Sequence, residues 1–455
     1  MTASAPSGGA DLFGHPRGLT VLAATEFWER FSFYGMQSLL LLYMTKYLLL
    51  PQHAAGVIGL AAFRSALESL SGPLSDIGFA AQTYGLYNGL IYLLPIAGAW
   101  LGDRVLGRTR TVGIGCVLMA LGHLAMAVES LFLLALLLLI LGSGCLVGNM
   151  AAQVGMLYAP GDERHSRAFQ IYYVMLNLGA LAAPLVVGTL AERIDWHLGF
   201  GVAGIGMMIG LINYLAGLRH LPPDRFAAAQ PESGPIRLSA TQWRRVAIIL
   251  LLLFGPYLAL LIGTEQAYSM MYVWADTRVD RAVFGFQMPV TWIGFVDGVL
   301  AIIGVFVAGR IARHLNRRGI TWGELARLGT GLMLLVAAWL FAAAIALLPI
   351  TPLMAWLLFF VMLDFGSAIA APSVYALVSR LAPPSAVSML MAASKSVYTL
   401  CYFALGWLGQ FYEPIGPSGF WLLTAAIMAA GALLLLLPFG WWNRKLGAQA
   451  PTAAL

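Results

Sequence analysis

The sequence predicts an all-α membrane protein, with twelve transmembrane helices in two six-helix bundles and both termini cytoplasmic. Three observations carry that expectation. Hydrophobic residues make up 60% of the 455 and charged residues only 10%, where a typical soluble domain is about 25% charged. Such a chain cannot cover its surface with polar groups, so lipid must solvate much of it. Backbone crossing lipid has to pair its own N–H and C=O groups, as a helix or a closed barrel. No segment alternates with the period of two that barrel strands need, whereas 131–141 (LFLLALLLLIL) and 246–262 are continuous apolar runs. Each belongs to a stretch near the ~20 residues that a bilayer requires.

Twelve spans are expected: 19–49, 79–102, 111–128, 131–158, 167–190, 198–219, 244–274, 285–312, 325–348, 352–381, 386–411 and 417–440. Those longer than ~20 residues imply tilt or cytoplasmic overhang. The third observation is where the 26 Lys and Arg residues fall. With the N-terminus inside, nineteen lie in cytoplasmic segments, five in external ones (Lys46, Arg64, Arg193, Arg278, Arg281) and two within spans. That bias orients the chain. The net charge of +6 therefore reports topology, and a nucleic-acid partner is not expected.

The longest non-apolar break, 220–243, divides six spans from six. The expected organisation is a tail at 1–18, a bundle at 19–219, a cytoplasmic linker at 220–243, a bundle at 244–440 and a tail at 441–455. Residues 1–16 are polar and rich in Gly, Ala and Ser, with no cleavable signal peptide expected. Cys116, Cys145 and Cys401 all fall in spans, where small apolar packing is the expected role. No metal-ligand spacing is present, and neither a metal nor a cofactor is expected. The stretch 51–78, with GVIGLAAFRSALESL, is expected to form a short amphipathic helix.

The loop after span 2 reads Gly98-Ala-Trp-Leu-Gly-Asp103-Arg104-Val-Leu-Gly107-Arg108-Thr-Arg110, and the loop after span 8 is a degenerate basic copy, Gly309-Arg310 through Arg317-Arg318-Gly319. Glycines permit the tight turn. Asp103 can pair with arginines, so Asp103, Arg104 and Arg108 are the expected cytoplasmic gating loop. This repeat and the six-plus-six layout are those of the major facilitator superfamily fold, whose halves each hold an inverted repeat.

Seven ionisable residues lie deep inside expected spans, away from their ends: Glu26, Glu29, Arg30, Glu265, Asp297, Asp364 and Lys395. Each costs about 2.5–3.5 kcal/mol near a helix centre, so each needs a partner and a reason. Glu26 and Arg30 are four apart and share a helix face. Glu29 projects some 100° from Arg30, toward a neighbouring helix. The expectation is that Arg30 holds one acid while another stays free for a proton, burial favouring the protonated acid and the cation the ionised one. Asp297, Asp364 and Lys395 lie at similar depth in spans 8, 10 and 11, where one lysine facing two acids implies a second ion-pair network. His123 is expected to pack beside a polar neighbour.

Glu26-Phe-Trp-Glu29-Arg30-Phe-Ser-Phe33-Tyr34-Gly35 resembles the ExxER signature that opens the proton-dependent oligopeptide transporter family. Phe169-Gln-Ile-Tyr172-Tyr173-Val-Met-Leu-Asn177-Leu-Gly179 is similar to that family's span 5 signature. Glu265-Gln266, Gly285-Phe286-Gln287-Met-Pro289 and Leu381-Ala382-Pro383 resemble further family segments, so the likeness covers essentially the whole membrane region. The resemblance implies proton coupling at Glu26, Glu29 and Glu265, with Arg30 as the switching cation. It implies substrate contacts at Tyr34, Tyr92, Asn149 and Asn177, with Gln37 where many members carry an arginine. Tyr268, Ser367 and Tyr398 join that expected pocket.

Two departures matter. The family's span 4 lysine is absent from Leu146-Val147-Gly148-Asn149, and its span 10 glutamate is Ser367, before Pro372. These two residues usually pair, and losing both is tolerable where losing one would strand a charge. Lys395 and Asp364 are placed to replace them, and Asp297 stands at a site that is commonly Asn. The resemblance implies a proton-coupled symporter importing di- and tripeptides across a bacterial cytoplasmic (inner) membrane by alternating access, with protons and the lipid bilayer as partners and a monomer expected. The alternative is the same fold and coupling with another cargo, such as a peptide-like natural product, a modified amino acid or a small organic acid. An intramembrane enzyme would need a nucleophile–base constellation or metal ligands, and neither appears; a channel would want a filter loop or a pore-lining ring, and the two-half layout argues against it.

Overall fold

The computed structural model describes residues 14–159, 161–224 and 238–446. The expected tails and linker therefore lie partly outside the described residues. The chain forms two compact units, one made of 1–73, 90–230 and 289–295, the other of 74–89, 231–288 and 296–455.

The first unit is built around α1 (Arg17–Tyr43), continued by a π-helical turn at Met44–Leu48. Lipid-facing helices keep one face bare, but α1 is buried on nearly every side, Leu22, Met36 and Leu39 being fully inaccessible. A helix apolar all round belongs in a core, and here it hosts charges as well. After α2 (Pro51–Ala54) comes α3 (Leu60–Ser71), the amphipathic helix expected there, with Arg64 and Glu68 paired at 3.1 Å one turn apart. The second expected span is two helices, α4 (Asp76–Leu93) and α5 (Pro95–Arg104). The break falls at Pro95, which lacks an N–H and starts a helix more readily than it continues one. Then come α6 (Arg108–Ala125), α7 (Phe132–Met156), α8 (Arg164–Arg193) and α9 (Trp196–Ala216). In the turn before α8, the Arg164 guanidinium hydrogen-bonded to Asp162 holds that carboxyl below its ordinary range. Asp195 caps α9 by accepting from the amides of His197 and Leu198, the usual service of an aspartate at that position.

The second unit takes in most of α4 and continues with α10 (Ala240–Leu252), started by a capping box of Ser239 and Gln242. The seventh expected span is not one helix. A π turn at Leu253–Tyr257 surrounds Pro256, α11 is Leu258–Glu265, a 3-10 turn covers Gln266–Tyr268, and α12 (Met270–Arg278) follows an irregular Ser269. Broken helices are tolerated at membrane depth where the freed backbone is enclosed by protein or lines a cavity, and this break sits beside Glu265 and Tyr268. Strands β1 (Val279–Asp280), β2 (Ala282–Val283) and β3 (Phe286–Gln287) come next. The eighth span therefore starts later than 285, with α13 (Trp292–Arg317). Phe284 and Gly285 both have positive φ, the signature of a tight hairpin turn, and β2 pairs antiparallel with β3. The sequence pattern missed this because the turn residues lie between apolar ones. α14 (Glu324–Ile345), β4 (Thr351–Pro352, parallel to β1), α15 (Leu353–Leu381), α16 (Val387–Gly409), α17 (Tyr412–Leu436) and α18 (Phe439–Leu446) complete the unit. Within it, α4 and α16 touch backbone to backbone: a Cβ on Gly406 would lie 3.1 Å from the Cα atoms of Gln82 and Gly85.

Among the described residues, eight helical stretches are long and apolar enough to cross a membrane. α1 is not among them, since Glu26, Glu29 and Arg30 sit at its middle.

Candidate functional site

In the first unit, Arg30 Nε lies 3.1 Å from Glu26 Oε1 and also pairs with Glu29. The cation thus holds both acids, where the sequence left one free. The guanidinium reaches the acid one turn back and the one beside it together, because all three side chains are confined: Glu29 is fully buried and Glu26 nearly so. The Arg30 guanidinium also lies 5.1 Å from the Phe33 ring. Helix α8 supplies what the triplet lacks. The Tyr172 hydroxyl donates to Glu26 Oε2, and α8 comes close enough only because residue 179 is glycine: a Cβ there would sit 3.1 Å from the Arg30 Cβ. One turn along α1, Ser32 Oγ is hydrogen-bonded to His123 Nε2, the polar neighbour expected for that histidine.

In the second unit, Tyr402 donates to Glu265 Oε2 at 2.6 Å, and Tyr268 donates to Asp297 Oδ2. The carboxyls of Asp297 and Asp364 meet side chain to side chain. Lys395 is not brought to either acid by an ion pair among the described residues. It is exposed, and its Nζ stands 5.4 Å from the ring of Tyr375, a cation–π arrangement. The expected three-member network is therefore an acid pair plus a separate lysine. Asp297 is already served by Tyr268 and Asp364, while the long lysine stem can leave its ammonium in the more hydrated place. Tyr375 accepts a hydrogen bond from Tyr257 at 3.0 Å, and Tyr398 is bonded to Tyr257 in turn.

The other expected contact residues divide. Tyr34 is half-buried and packs edge-on to Phe33, Gln37 is buried, and Tyr92 is half-buried. Asn177 gives its amide to the Tyr173 carbonyl of its own helix. Ser367 Oγ, one turn from Asp364, is buried without a hydrogen-bond partner among the described residues. Asn149 is a strut: its amide donates to the Gly98 and Cys145 carbonyls, both at 2.9 Å, joining α7 to α5. Asn149→Ala is expected to remove this tie between α5 and α7 at about 0.5–1.5 kcal/mol, lowering the thermal midpoint of the purified protein while KM for any transported substrate stays unchanged.

The gating loop forms in part as expected. Arg108 Nε bonds Asp103 Oδ1 at 2.7 Å and its Nη1 reaches Met156 Sδ, while Arg104 is exposed and makes no ion pair among the described residues. Gly107 is required at this turn. Its φ is +82°, and a side chain there would strike the Asp224 carboxylate. That carboxylate accepts from the Thr109 amide at 2.9 Å and so caps the start of α6.

Four contributors escaped the sequence reading: Tyr172, Tyr402, Asp224 and Glu192. Glu192 accepts from the Val290 amide, the Thr291 amide and the Thr291 hydroxyl at 2.7–2.9 Å. The buried acids announced that donors must exist, but the donors lie 137 to 146 residues from them along the chain, beyond any local pattern.

The fold and these buried charges define a polytopic helical membrane protein of two compact units, each with its own acid–tyrosine centre. Residues 30–406 match the family model described as Major Facilitator Superfamily, and the chain belongs to that superfamily. Within it, the resemblance to the proton-dependent oligopeptide transporters is borne out by its relatives. The chain is 43% identical over 215 residues to a di-/tripeptide transporter of Lactococcus lactis subsp. lactis (strain IL1403), covering 46% of this chain and 39% of that one. It is 36% identical over 219 residues to the peptide transporter YePEPT of Yersinia enterocolitica subsp. palearctica serotype O:3 (strain YE-P4), covering 47% and 39%. The alignments thus span about two fifths of these relatives' own length. A crystal structure of a mutant of peptide transporter POT in complex with alafosfalin superposes with a TM-score of 0.82 at 25% identity, covering 97% of this chain and 98% of that one.

Proposed function

We propose that the protein is a proton-coupled symporter that imports di- and tripeptides across a bacterial cytoplasmic membrane by alternating access. The observation carrying this reading is the buried Glu26–Glu29–Arg30 triplet with Tyr172 on Glu26. Three charges confined in a membrane helix are costly unless they are used. A proton delivered to either acid removes one of the two claims on Arg30, so loading releases an ion pair and unloading rebuilds it. That gives the bound proton a differential interaction with two arrangements of the helix, which any coupled shift requires. Glu265, with Tyr402 on one oxygen, is the corresponding proton site of the second unit.

The reading of peptide as cargo leans on what the relatives are named for, and on the acid pair Asp297 and Asp364 together with Lys395, which offer groups of both signs to a zwitterion. A second reading keeps the coupling but changes the cargo to a peptide-like or other small organic acid. It is favoured by Leu146-Val147-Gly148 and Ser367, where the family's usual lysine and glutamate are absent. Purified protein in liposomes with an inward proton gradient is expected to accumulate labelled dialanine, and unlabelled di- and tripeptides should compete. Failure to take up dialanine, with uptake of an organic acid instead, would replace the first reading by the second.

A further inference from the structure

Tyr172 touches two things at once. Its hydroxyl donates to Glu26 of the charged triplet, while the residue forms part of the wall of a cavity of about 500 Å³ in the first unit. The other walls are Ala151 of α7 and Ser166, Phe169, Gln170, Tyr173 and Leu176 of α8. Ser166 and Gln170 apart, they are apolar or aromatic, and the volume falls within the roughly 300–1,000 Å³ of small-ligand sites.

We infer that Tyr172 is a positioning residue through which an apolar side chain of the cargo, seated in this cavity, controls the hydrogen bond to Glu26 and with it proton loading of the triplet. The inference rests on the proposed symport. A side chain against Phe169 and Leu176 abuts the ring of Tyr172, which is itself buried, and a shift of that ring moves its hydroxyl relative to Glu26. With the donor in place Glu26 Oε2 is hydrogen-bonded beside Arg30; with it withdrawn, that oxygen loses its partner and the balance of contacts within the triplet changes. The titratable and charged groups facing this centre are Glu26, Glu29, Arg30 and Tyr34 from α1, with Cys116 of α6 beside Glu29. Of the residues that line the pocket, Tyr172 is the one hydrogen-bonded to the triplet.

Two variants test it in liposomes. Tyr172→Phe keeps the ring and removes the hydroxyl. Gradient-driven accumulation of labelled dialanine should fall about tenfold and its dependence on external pH should flatten, while counterflow exchange remains measurable. Leu176→Trp fills the cavity and should weaken competition by Leu-Leu about tenfold more than it weakens competition by unlabelled dialanine. Wild-type accumulation and pH profile in Tyr172→Phe would overturn the link. Equal weakening of both competitors in Leu176→Trp would remove the cavity from the cargo's path, as would a cavity filled by a lipid acyl chain in a ligand-bound structure. Absence of dialanine uptake by the wild-type protein would instead refute the symport reading, and the inference with it.

Discussion

Glu29→Gln is expected to abolish accumulation of dialanine above its external concentration while counterflow exchange remains measurable. Each coupled proton moving down a gradient of one pH unit supplies about 1.4 kcal/mol, worth a tenfold accumulation. Glutamine keeps the shape of the side chain and its place against Arg30 but cannot gain or lose a proton. Glu29 is fully buried and paired with Arg30, so no surface group can stand in for it. Exchange needs the protein only to reorient with cargo bound and does not need the proton cycle. Full concentrative uptake by this variant would remove Glu29 from the coupling.

Arg30→Met is expected to have the larger structural cost. It leaves Glu26 and Glu29 buried together with no cation, and breaking a buried pair from one side costs about 3–5 kcal/mol. The thermal midpoint in detergent should fall and transport should be lost. Adding Glu29→Gln in the same chain removes one stranded acid and should recover part of the midpoint without recovering transport. Arg30→Lys is not a gentle change either, because an ammonium is a point charge that cannot span two carboxylates as the planar guanidinium does. If the double variant were no more stable than Arg30→Met, the pairing energies inferred from the geometry would be wrong.

Much of this was legible in the sequence because membrane physics is severe. Continuous apolar runs, basic loops and the cost of charge at depth located α1, α6 to α9 and α13 to α17, and they singled out Glu26, Glu29, Arg30, Glu265, Asp297 and Asp364. What escaped depends on distance along the chain or on local backbone. The hairpin at Phe284-Gly285 is set by two positive φ angles within an apolar stretch. The break after Glu265 leaves no proline or glycine at Ser269 to mark it. Asn149 looked like a contact residue, but whether its amide faces a cavity or two carbonyls is decided by the approach of α5. Lys395 was expected on an acid because depth alone was considered; a four-carbon stem can carry its charge well away from its Cα, here to the face of Tyr375.

The central claim is that the chain moves peptide and proton together through the triplet of α1. It is tested most directly by a pH-sensitive dye sealed inside liposomes carrying the purified protein, with the membrane potential clamped and dialanine added outside. The account predicts acidification of the lumen on adding dialanine, absent with Glu29→Gln. Entry of dialanine with no proton entry in the wild-type protein would contradict it.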